Sequence, residues 1–105
     1  MSGPLGRVSD TMTAMISVEA VPTRLGWDCE VEVTEGEVIS RHNVRLRTSD
    51  LERWRRAPDE TPESLVTGAF EFLLAREEGT QILKSFEMAD VPRYFPEFDE
   101  EMRKR

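Results

Sequence analysis

The sequence predicts an α+β domain in which a small antiparallel sheet packs against one main helix. Three observations carry this. From Trp27 to Val33 the carboxylates Asp28, Glu30 and Glu32 alternate strictly with Trp27, Cys29, Val31 and Val33, the period-two pattern of a strand with one wet face. A second alternating run follows a glycine-containing turn, so the two read as a β-hairpin, 27–33 with 37–47. Residues 62–78 then carry a broad apolar face at helical spacing behind a Thr-Pro start, a helix with a marked beginning.

The 105 residues suit one domain, and a chain of this size buries roughly two thirds of its unfolded surface. Residues 1–11, rich in Gly, Pro and small polar side chains, read as a disordered lead. The domain itself spans 12–98, with a weak third-strand signal at 14–21 broken by Pro22. Gly36 supplies the hairpin turn. If Thr34 faces Glu37, then Val33 meets Val38, Val31 meets Ser40, Cys29 meets His42 and Trp27 meets Val44. On the opposite face Glu30 meets Arg41. A one-residue slip would destroy both the apolar and the charged matches.

Ser49 reads as a helix N-cap with Glu52 completing a capping box, and Pro58 ends that short helix. Thr61 caps the main helix, Pro62 occupies its first position, and Gly79 is the expected stop. Residues Leu65, Val66, Ala69, Phe70, Phe72 and Leu73 form its core face. A further short helix, about Thr80 to Phe86, offers Ile82, Leu83 and Phe86 to the core. Residues 99–105 are charged and expected to fray.

The formal net charge of −7 repels nucleic acid and anionic lipid. No apolar run reaches the roughly 18 residues a membrane helix needs, and the lone Cys29 cannot form an internal disulfide. The expected address is cytoplasmic, the partner classes are a protein partner or a homo-oligomer, nucleic acid is disfavoured, and no membrane is involved. Cys29 and His42 are two ligands where a zinc site takes three or four, so no metal and no cofactor is assigned. As a thiolate–imidazolium couple they would need a cleft. Both fall on the face expected to be buried, so the expectation is a packed thiol beside a half-buried ring, and no catalytic residue is assigned.

From Arg41 to Arg56 six arginines stand against Asp50 and Glu52, a local basic stripe of the kind that contacts phosphates. The order strand, short helix, capped helix over Asn43–Glu78 resembles a ribbon-helix-helix repressor. By that resemblance Asn43, Arg45 and Arg47 would read bases. The alternative is a solvated strand face with cross-strand ion pairs. The tail residues Tyr94, Phe95 and Phe98, set around Pro92 and Pro96, either cap the core or present an aromatic anchor to a partner.

Four segments, Arg41–Val44, Phe70–Glu77, Ile82–Phe86 and Tyr94–Phe98, resemble a group of small uncharacterised bacterial and archaeal proteins with an FEFLLxRE-type helix and a YFPEF motif. The resemblance implies a compact hairpin-plus-helices unit and no functional residue. The expected function is therefore a non-catalytic protein-interaction or regulatory module, with a DNA-binding regulator or an enzyme subunit as alternatives.

Overall fold

The computed structural model describes residues 14–104; the expected lead at 1–11 lies outside them. The chain forms a four-stranded mixed sheet of order β1-β2-β3-β4 with helices on one side. Its strands are β1 (Met15–Pro22), β2 (Gly26–Glu35), β3 (Val38–Arg47) and β4 (Ser85–Glu87). Its helices are α1 (Thr48–Trp54), α2 (Pro62–Leu74), α3 (Val91–Tyr94) and α4 (Phe98–Lys104). The α+β class, the hairpin and the third strand are as the sequence predicts.

The hairpin register differs by two residues. Glu35 faces Val38, so Val33 meets Ser40, Val31 meets His42, Cys29 meets Val44 and Trp27 meets Leu46. The physical reason is the turn. Gly36 has φ 62°, and among the described residues only Gly26 also has positive φ. Gly36 therefore occupies the first position of a two-residue loop, the place a type II′ turn reserves for glycine. A shift of two preserves every side chain's face, so the buried set of Cys29, Val31, Val33, Val44 and Leu46 survives. The charged pairing moves: Glu32, not Glu30, meets Arg41, at 3.0 Å.

The helix ends need three corrections. First, α1 starts two residues early, and Asp50 rather than Glu52 reaches back, accepting from the Arg47 N–H at 2.9 Å. Second, α2 begins as expected, with Thr61 Oγ1 accepting from the Ser64 N–H at 3.1 Å, but it ends at Leu74, not near 78. Arg76 takes over there. Its Nη1 donates to the Phe72 carbonyl at 3.0 Å, and its guanidinium lies 3.6 Å from the Phe72 ring centroid. Gly79 is no helix stop. It is a close-approach glycine whose N–H donates to Glu35 Oε1 at 3.0 Å, and a Cβ there would lie 2.9 Å from Ser40 Oγ. Third, the expected helix over residues 80–86 does not form. A 3₁₀ turn at Gly79–Gln81 leads into β4, which pairs parallel to β3.

The core lies between the inner sheet face and α2, with Val31, Val44, Leu46, Val66 and Phe70 at 2% exposure or less. A second aromatic cluster joins it. Phe98 is edge-on to Trp54 and to Phe72, each at 5.1 Å. This corrects the expectation of a frayed 99–105 segment: residues 98–104 are helical, Phe98 and Met102 are buried, and Asp99 binds Arg53 and the Trp54 indole at 2.6 and 2.7 Å. Leu83, expected in the core, is 58% exposed.

Candidate interaction groove

The exposure of Leu83 follows from what holds its backbone. His42 is buried on β3, with Nδ1 2.8 Å from the Leu83 carbonyl and Nε2 3.0 Å from Ser40 Oγ. A carbonyl can only accept, so Nδ1 carries a proton and donates it, and in the neutral ring Nε2 accepts from the Ser40 hydroxyl. The ring also packs against Phe70 at 5.2 Å. His42 thus pins the main chain at Leu83 to the sheet. Ile82 points into the core, at 4% exposure, and Leu83 points out.

A groove of about 500 Å³ opens beside this pinned segment. Leu73, Ile82, Phe86 and Phe95 contribute its apolar lining, and Leu83 and Tyr94 stand on it. Tyr94 is 68% exposed. The charged groups lining it are carboxylates, Glu77 and Asp90. Of the three aromatics singled out in the tail, the structure separates the roles. Tyr94 is exposed, Phe95 is half-buried and edge-on to Phe72 at 5.8 Å, and Phe98 is fully buried and belongs to the core. Phe98 therefore caps the fold and is no surface anchor. The exposed Leu83 was missed because its apolar character reads as core when the segment is taken as a helix.

Cys29 and His42 do not face one another across the strands. Cys29 is fully buried, and burial pushes its thiol up to about 12, with the charges of Glu63, Asp28 and Glu30 adding to the rise. A thiol so protonated at neutral pH is a poor nucleophile. Among the described residues no cluster of three His, Cys, Asp or Glu is placed to hold a metal ion.

Asn43, Arg45 and Arg47 lie together on the outer face of β3. Asn43 Nδ2 donates to Glu30 at 2.6 Å, Arg45 sits opposite Asp28, and Arg47 lies 3.7 Å from Glu87. Carboxylates from both neighbouring strands interleave with this basic row. The strand is also central, flanked by β2 and β4. A repressor ribbon needs two copies of its strand paired to each other, and over Asn43–Arg45 both edges of β3 are occupied. No helix among the described residues is long and apolar enough to cross a membrane. No family model, curated protein or solved structure matches this chain.

Proposed function

We propose that this domain is a protein-interaction module whose binding surface is the groove between β4 and α3. The observation that supports it most is that two large side chains, Leu83 and Tyr94, are exposed to water while lining a groove whose other residues include Leu73, Ile82 and Phe86. Exposed apolar surface gathered at a concave site is what partner segments bury. The carboxylates Glu77 and Asp90 favour a partner segment with an apolar or aromatic anchor beside Lys or Arg. Tyrosine suits this role because it offers a large contact area with few rotamers to immobilise.

Selection from a displayed random-peptide library tests the reading. Enriched peptides should share an aromatic or aliphatic anchor next to a basic residue, and amide shifts on binding should map to residues 82–86 and 90–95. Tyr94→Ala and Leu83→Asp, both at exposed positions, should abolish binding without lowering stability. Shifts mapping to another face, or binding indifferent to both substitutions, would refute the assignment.

A further inference from the structure

We infer that the outer edge of β1 pairs antiparallel with β1 of a second copy, about a two-fold axis through Val18. The hydrogen-bond parity of the sheet shows which groups are available. The Asn43 N–H donates to the Lys84 carbonyl at 2.7 Å, so Asn43 directs its backbone groups to β4 and Val44 directs its own to β2. Cys29 is therefore the hydrogen-bonded partner of Val44, and Glu30 turns its groups to β1, where it meets Glu19. By alternation Ile16, Val18 and Ala20 aim their N–H and C=O groups away from the sheet. Pro22 has the same parity, so the N–H it lacks is one the ladder never uses. No described residue pairs with this edge.

Apart from Pro22 at its end, the edge also lacks the features that keep sheet edges single. It is eight residues long, MISVEAVP, and Glu19 is its one charge. Short length, lysines, prolines or inward charges are the usual protections, and the one proline lies beyond the Ile16–Ala20 run that would pair. Ile16, Val18 and Ala20 are half-buried against the core on the inner face, so a second copy would cover what this chain leaves open.

The register singles out a copy of the same strand as occupant. With Val18 opposite Val18 of the partner subunit, Ile16 meets the partner's Ala20. On the outer face Met15 meets the partner's Val21, and Ser17 meets the partner's Glu19. Met15 and Val21, 70% and 46% exposed, lie equally far from Val18 and so cover each other twice. Sliding the pairing by one position toward Glu19 would set that carboxylate against its own copy, and sliding it the other way would set Met15 against it. Ile16, Val18 and Ala20 from both copies supply about six backbone hydrogen bonds.

Sedimentation equilibrium and light scattering on the full chain test this. The wild-type protein should be a dimer. Met15→Lys with Val21→Lys places like charges across both outer pairs and should weaken dimerisation at least tenfold. Met15→Lys with Val21→Glu places opposite charges there and should restore it. Val18→Pro removes an N–H that only the partner uses and should yield a folded monomer, as read by circular dichroism. A wild-type chain that stays monomeric at millimolar concentration overturns the proposal. So does a dimer indifferent to the double lysine variant, or failure of the Lys/Glu pair to rescue a folded protein.

Discussion

Phe98→Ala is the sharpest test of how the tail folds, because Tyr94, four residues away in the same motif, provides its control. Phe98 is fully buried and edge-on to two rings. Truncating a buried Phe to Ala costs about 3–5 kcal/mol through lost burial and the cavity left behind. The two aromatic pairs, at about 0.5–1.5 kcal/mol each, place this site in the upper part of that range. At about 4–8 °C per kcal/mol for a domain of this size, a cost of about 4–5 kcal/mol should lower the melting temperature by roughly 15–40 °C. Tyr94→Ala touches an exposed side chain and should change stability by under about 0.5 kcal/mol. Thermal and urea denaturation followed by circular dichroism measure both. A Phe98→Ala protein melting within a few degrees of wild type would mean that α4 does not dock on α2, and that the separation of tail residues into core and groove is wrong.

Three further outcomes follow from the geometry. Cys29 should react with maleimide or Ellman's reagent only at the rate of unfolding, and reach full reactivity in denaturant; fast labelling of native protein at neutral pH would contradict its burial. Gly26→Ala should destabilise by more than about 3 kcal/mol or abolish folding, because a Cβ there would sit 2.1 Å from the Leu46 carbonyl oxygen, a backbone atom that cannot swing away. Urea titration reads it, and a near-neutral result would place the Gly26–Arg47 pairing in error. Acid lability should centre on Asp99. Burial opposes its ionisation most strongly, but hydrogen bonds from Trp54 and Arg53 and the charges of Arg53 and Arg103 outweigh it and hold its carboxyl below the usual range. A lowered folded-state pKa stabilises fully above the unfolded value, near 4, and that contribution fades as pH falls through the folded value. Stability should therefore drop below about pH 4, with a visibly smaller drop in Asp99→Asn.

The parts of the fold readable from sequence are those where one period dominates. Alternation placed β2 and β3 and the buried face of each, and the Thr61-Pro62 start fixed the first turn of α2. Errors arose where a long-range contact overrides local preference. Gly79 has the composition of a helix stop, yet its role is set by Glu35, 44 residues earlier. Leu83 belongs to an apolar run that looks helical, but the His42 side chain, 41 residues away, and pairing with β3 hold that run extended. The charged sequence after Phe98 resembles a fraying tail, but Phe98 and Met102 at i and i+4 face the core, while Asp99 ties α4 to α1. Such ties between distant residues leave no periodic trace.

The two proposed surfaces lie on opposite edges of one sheet, since β1 and β4 are its outermost strands. Pairing through β1 therefore leaves each groove open and sets the two at the far ends of a continuous eight-stranded sheet. Strands about 4.8 Å apart put one β4 about 34 Å from the other before twist is counted. Two copies of a groove-binding peptide joined by a flexible linker of about 40 residues match that span. The joined peptide should bind the wild-type dimer about a hundredfold or more tighter than the single peptide. In the Met15→Lys, Val21→Lys variant the gain should vanish while the single peptide binds as before. If the single peptide also weakens in that variant, the groove and the β1 edge are one surface. If the joined peptide shows no advantage on a proven dimer, the two grooves do not face the same ligand at that separation.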